Sequence, residues 1–141
     1  MVDYTLCIIF NRHHDKVLLL QRNFSPYKGL FNGIGGKVKY GESHTDAVIR
    51  EVKEETGIEL DYYAGNIFTY SLKLVFPTQE TNLHVYYAEV EEGTNRIACR
   101  EGTLHWIDVR EVLNITDPRW AGDGNLSYFV LDALRLMGHK I

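Results

Sequence analysis

The chain has 141 residues, enough for one domain and too few for two ordinary ones. Hydrophobic residues make up 45% and charged residues 24%, which is the balance of a soluble globular protein and excludes a disordered tail. The formal net charge of −4 argues against a strongly basic nucleic-acid-binding surface, but leaves small anionic substrates open because bound cations reverse local charge.

Tyr4 to Phe10 is an apolar run too short to span a bilayer, with no basic stretch before it. It reads as a buried strand, with no membrane partner expected. The polar residues Asn11 to Asp15 separate it from a second apolar run, Lys16 to Gln21, so the pair reads as a hairpin. The two cysteines, Cys7 and Cys99, lack metal-type spacing and read as buried or incidental thiols. A reducing, cytoplasmic setting is expected from that usage.

A stretch rich in turn formers follows, including Asn23, Ser25, Pro26, Gly29, Asn32, Gly33, Gly35 and Gly36, and reads as a loop. The strongest helix signal comes next. Ser43 as N-cap with Asp46 three residues on predicts a capping box, a helix from about His44 to Thr56, and Gly57 as its stop. Asp61 to Phe76 is rich in aromatic and aliphatic residues and predicts one long strand or two shorter ones, ended by Pro77. Asn82 to Val90 and Thr103 to Ile107 predict further strands, and Val109 to Leu113 a single helical turn. Leu126, Phe129, Val130, Ala133, Leu134 and Met137 have the spacing of a helix with one buried face. The element order predicts an α/β fold, a mixed sheet covered by helices on two faces.

The first helix carries the chemistry. Glu51, Glu54 and Glu55 stand at i, i+3 and i+4 and share a face, beside the apolar stripe of Val48, Ile49 and Val52. At an effective dielectric of ~20 and a separation of ~6 Å, each carboxylate pair costs roughly 3 kcal/mol, against only ~0.2–0.5 kcal/mol in open water. The triplet is therefore either a solvated acidic face or, in a cleft, a site that needs a cation. Hard oxygen ligands favour Mg²⁺, with Mn²⁺ as the alternative. Gly33, Gly35 and Gly36 allow close backbone approach to a ligand, Lys37 supplies a charge suited to phosphate, and an Arg50 guanidinium can hold carboxylates such as Glu42 in a bidentate fork. That set suits diphosphate hydrolysis, in which metal ions neutralise phosphate and activate water while a carboxylate takes the proton.

Gly36, Glu42, Arg50, Glu51, Val52, Glu54, Glu55, Gly57 and Ile58 match the Nudix box at all nine defined positions, G-x5-E-x7-R-E-U-x-E-E-x-G-U with U aliphatic. A chance match is on the order of 10⁻⁷ or less. The chain thus resembles the Nudix hydrolases, and the resemblance implies one α/β/α sandwich domain over residues 1–141. It implies that Glu51, Glu54 and Glu55 bind divalent metal, with Glu54 and Glu55 as main ligands and Glu51 as ligand or base. A backbone carbonyl of Gly35 or Gly36 adds a ligand. Glu42 and Arg50 orient that set, which makes Glu51, Glu54 and Arg50 the expected catalytic group. Glu101 matches a further acid that the family often takes from a late loop; a solvated loop charge is its other reading.

The run Phe31 to Val38 resembles the loop of MutT-type enzymes that destroy oxidised purine triphosphates such as 8-oxo-dGTP. Tyr4-Thr5-Leu6 and the segment Trp120 to Asn125 are similar to the mammalian-type members of that group. That likeness implies that Asn32 and Asp123 hydrogen-bond the base while Trp120 stacks on it, although a single Asp precedes Gly124 where the subgroup has an acidic pair. Arg22 is a candidate phosphate contact or a surface charge. The expected partner is a small nucleotide, with no nucleic acid, and either a monomer or a homodimer is open. Hydrolysis of ADP-ribose or dinucleoside polyphosphates is the rival activity, and a nucleotide sensor that binds without cleaving is the rival class.

Overall fold

The computed structural model describes residues 1–61 and 66–140. Its centre is a mixed sheet. Strand β1 (Val2–Phe10) pairs antiparallel with β2 (Lys16–Arg22) only at Ile9↔Leu18 and Phe10↔Val17. Beyond those pairs β2 diverges, and two short strands fill the gap. One, β3 (Phe31–Asn32), pairs with β2, and the other, β4 (Ile34–Lys37), pairs with β1. The remaining strands are β5 (Ile67–Phe76), β6 (Thr81–Glu89), β7 (Ala98–Cys99) and β8 (Gly102–Asp108), giving the order β5-β6-β1-β2-β8-β7. Among the described strands, β1 and β6 are the one parallel pair.

Helix α1 (His44–Thr56) covers one face. The other carries α2 (Val109–Val112) and α3 (Asn125–Leu136). Alternate residues of β1 divide between the two cores. Cys7 and Ile9 pack with Val48 and Val52 of α1, while Leu6, Ile8 and Phe10 pack with Phe129, Val130 and Leu134 of α3. A strand buried on both faces has no polar alternation, which explains the continuous apolar run in the sequence. Burial also pushes the Cys7 thiol far above its usual range. No helix among the described residues is long and apolar enough to cross a membrane.

The helix bounds match the expectation, and one half of the expected capping box is present. The Ser43 hydroxyl accepts from the Asp46 amide at 3.0 Å, and Gly57 closes the helix at φ +79°, a conformation costly for residues with a Cβ. Two differences have physical reasons. Residues 31–32 and 34–37, expected as loop, are strands, because the glycines there permit close strand packing as well as turns. A Cβ on Gly35 would overlap the Thr5 carbonyl. Gly35→Ala is therefore expected to lose about 1–3 kcal/mol or more of stability in a urea unfolding experiment. The strand expected from Asp61 is observed from Ile67; its positions 62–65 lie outside the described residues.

Candidate active site

The divergence of β1 from β2 leaves a cleft of about 1220 Å³ at the end of the sheet. Helix α1 packs against β4 and β1 and brings its acidic face to that opening. Exposure falls along the triplet: 55% for the Glu54 side chain, 16% for Glu51, and only 7% for Glu55 as a residue. Glu54 thus sits on the rim and Glu55 at the floor.

Arg50 braces the group. Its Nε and Nη2 donate to the two Glu42 oxygens at 2.8 and 3.0 Å, the expected bidentate fork. Its Nη1 donates to Glu51 at 2.9 Å and to Glu54 at 3.3 Å, and Nη2 also reaches the Lys37 carbonyl at 3.2 Å. Glu42 Oε1 accepts from the Lys39 amide as well. Arg50 and that amide hold the Glu42 carboxyl down at about 2.

Glu55 has no such counter-charge. One of its oxygens is buried without a hydrogen-bond partner, and burial with the nearby Glu51 and Glu101 charges raises its carboxyl to about 8. A hydrogen bond from the Gly35 backbone and the Arg22 charge oppose that rise. Burial also raises Glu51, against the pull of Arg50. Gly36 faces this carboxylate, and a Cβ there would stand 2.5 Å from Glu51 Oε1. The missing side chain leaves room for the acid.

Among the described residues no group of three or more acidic, histidine or cysteine side chains is arranged to hold a metal ion. Instead, the Arg50 guanidinium bridges Glu51 and Glu54. The donor set still fits a hard divalent ion. An unpaired Glu55 oxygen at the cleft floor, and a carboxyl raised by burial and by the Glu51 and Glu101 charges, are both relieved by positive charge. Glu51, Glu54, Glu55 and Glu101 are the glutamates that line the cleft, with Gly36 beside them.

Of the other expected residues, Arg22, Asn32 and Asp123 line the cleft. Backbone bonds from Phe31 N to Arg119 O and from Ala121 N to Phe31 O join the strand bearing Asn32 to the segment leading to Asp123. Two positions lie elsewhere. Lys37 is exposed and is not among the cleft-lining residues, whereas Lys39 is. Lys37 ends β4 and Lys39 lies just beyond it, and nothing local to the two distinguishes which would line the cleft. Trp120, expected as a stacking surface, is 5% exposed and belongs to the core on the α3 side. The Arg119 guanidinium lies over its ring at 4.4 Å and Phe31 meets it edge-on, so no face is offered to a base. Tyr27 and Arg100 line the cleft without having been singled out, as does Cys99, read as a buried or incidental thiol.

Residues 2–127 match the NUDIX domain family model. The chain is 35% identical over 138 residues to the uncharacterized Nudix hydrolase YvcI of Bacillus subtilis, covering 94% of this chain and 81% of that one. It is 29% identical over 126 residues to the oxidized purine nucleoside triphosphate hydrolase of Danio rerio, covering 88% and 77%. A shorter match, 50% identical over 44 residues, joins it to the ADP-ribose pyrophosphatase of Methanocaldococcus jannaschii but spans 31% of this chain and 26% of that one. The MutT protein of Bacillus halodurans superposes with a TM-score of 0.70 at 30% identity, over 92% of this chain and 80% of that one.

Proposed function

The chain belongs to the Nudix family of diphosphohydrolases, and on that premise we propose that it is a Mg²⁺-dependent nucleoside triphosphate diphosphohydrolase favouring oxidised purines such as 8-oxo-dGTP. The observation that carries the hydrolase reading is Glu55: a buried, unpaired carboxylate oxygen on the floor of a cleft shared with Glu51, Glu54 and Glu101. The divalent cation, when bound, neutralises phosphate charge and acidifies water.

The chain's own residues do the rest. Glu51, Glu54, Glu55 and Glu101 would hold the cation, and Glu51 or Glu54 would take the proton from the attacking water. Arg50 fixes Glu51 and Glu54 against Glu42. Arg22 and Lys39 bring positive charge to the phosphates, and the monophosphate and pyrophosphate leave as products. Asn32 and Asp123 share a wall and supply an amide and a carboxylate to read a base edge, which supports the purine reading. The likeness to the Danio rerio enzyme, over 88% of this chain and 77% of that one, supports it too.

A panel of 8-oxo-dGTP, dGTP, CTP, ADP-ribose and a dinucleoside polyphosphate with Mg²⁺ separates the possibilities. The expected result is pyrophosphate release from 8-oxo-dGTP at least ~10-fold above that from dGTP in kcat/KM, a discrimination of about 1.4 kcal/mol. A preference for ADP-ribose would overturn the substrate and leave the hydrolase in place. Binding without turnover of any of them would overturn both.

A further inference from the structure

Away from the cleft, Arg110 folds back onto Asp108, and Arg119 onto Asp117 and Glu111. Within the cleft, Arg50 is occupied by three carboxylates. Arg22 and Arg100 also line the cleft, and among the described residues neither has an acid partner. Arg100 has no part in the chemistry above.

Its backbone is fixed in place. Cys99 pairs with Gly102, so Arg100 and Glu101 form the two-residue turn of the β7–β8 hairpin. Gly102 opposes Arg22 in the pairing of β8 with β2, and a Cβ on it would overlap the Gln21 carbonyl, so the hairpin lies tight against the end of β2. Asn23 ties the turn down: its amide donates to the Glu101 carbonyl at 2.8 Å and its Nδ2 to the Arg100 carbonyl at 3.3 Å. Arg22 Nε donates to the Pro26 carbonyl at 2.7 Å, which leaves its two terminal nitrogens without an acceptor among the described residues. Arg100 precedes Glu101 in the turn and Arg22 opposes the residue after it, so two guanidinium groups meet the cleft beside this acid.

The wall that reads the base lies back along the same strand. Asn32 pairs with Leu20, two residues before Arg22, roughly 7 Å at the strand repeat. A nucleotide with its base edge at Asn32 and its phosphates over the acids brings its far end to Arg22 and Arg100. A terminal phosphate carries about −1.5 to −2 charges and three acceptor oxygens. A phosphate bridged on both sides has less charge and fewer free oxygens. Planar guanidinium forks suit the terminal group best.

We propose that Arg100, with Arg22, clamps the terminal phosphates of the substrate, so that the site demands a free polyphosphate end. The clamp rests on the cation-dependent hydrolase reading above and deepens it. It disfavours ADP-ribose and dinucleoside polyphosphates, whose far ends carry a sugar or a second nucleoside.

The test is calorimetry of inorganic pyrophosphate with saturating Mg²⁺ on the whole chain, on Arg100→Gln and Arg100→Lys, and on Arg135→Gln, which removes an equal charge from an exposed position of α3. Arg100→Gln should weaken binding at least ~10-fold, with part of the loss recovered by lysine. Arg135→Gln should stay within about twofold of the parent, since salt screens a distant surface charge. In kinetics, Arg100→Gln should lose ~10-fold in kcat/KM for dGTP, chiefly through KM, and less than about twofold for ADP-ribose. Pyrophosphate that does not bind the parent, or that binds Arg100→Gln as well as the parent, overturns the clamp. So does an equal loss for dGTP and ADP-ribose, or an equal loss of pyrophosphate affinity in Arg135→Gln. A parent that holds pyrophosphate through Arg100 yet hydrolyses no nucleotide overturns the reaction assigned above while the clamp stands, so the two failures are told apart.

Discussion

Glu55→Gln loses at least ~100-fold in turnover with Mg²⁺, while without metal it melts no lower than the parent at pH 7.5. The two halves of this result have one cause. Glu55 is buried near Glu51 and Glu101 with one oxygen unpartnered, so the metal-free fold prefers it protonated. A glutamine copies that neutral form and removes only the ability to become a ligand. The pH dependence follows. The folded carboxyl titrates at about 8 against 4.5 when unfolded, so its contribution to stability is complete below 4.5 and is lost as pH climbs toward 8. That loss is roughly 3–5 kcal/mol for the metal-free protein. Melting curves between pH 4.5 and 8 should show it in the parent, and saturating Mg²⁺ should cancel it. A Glu55→Gln variant that unfolds readily at every pH would mark the residue as a structural acid.

Arg50→Ala is expected to lower kcat/KM by ~10–100-fold and to destabilise the fold by about 1–3 kcal/mol. Arg50 gives Glu42 a bidentate partner and bridges Glu51 to Glu54, so its loss leaves three carboxylates without their common donor. Glu51 is the worst placed, since burial already raises its proton affinity and Arg50 is what opposes it. The variant's activity should therefore recover in part at higher pH, where Glu51 ionises without help. Arg50→Lys should resemble the alanine more than the parent, because a single ammonium cannot make the fork to Glu42. Urea unfolding with a kcat/KM pH profile checks this, and an activity within twofold of the parent would remove Arg50 from its positioning role.

The sequence was most legible where function crowds residues into a fixed local geometry. The spacing of Glu51, Glu54 and Glu55, the Ser43 cap and the Gly57 stop are short-range features of one helix, and the structure shows them as read. The two-faced core was legible in the unbroken apolar run of β1. What stayed hidden depends on long-range pairing. Nothing in Phe31 to Lys37 shows that glycine-rich chain would enter a widening gap between β1 and β2, since the gap itself is tertiary. The orientations of Lys37 and Lys39 follow from where that strand ends. Trp120 was read from a motif as a stacking surface, but Arg119, tied to Asp117 and Glu111, covers its ring. That arrangement spans several loops and leaves no local trace. The graded exposure of the three glutamates, equal in sequence, comes from how α1 docks against β4.

Calorimetric titration of Mn²⁺ into the parent and Glu55→Gln, repeated in two buffers of different ionisation enthalpy near pH 7, reads the cation site without a substrate. Entry of the ion should expel the Glu55 proton, giving close to one proton released per ion in the parent. Affinity should fall at least ~10-fold in the variant, with the proton release gone. Equal affinity in both proteins with no proton released, alongside turnover indifferent to a chelator, would contradict a cation held at the floor of this cleft.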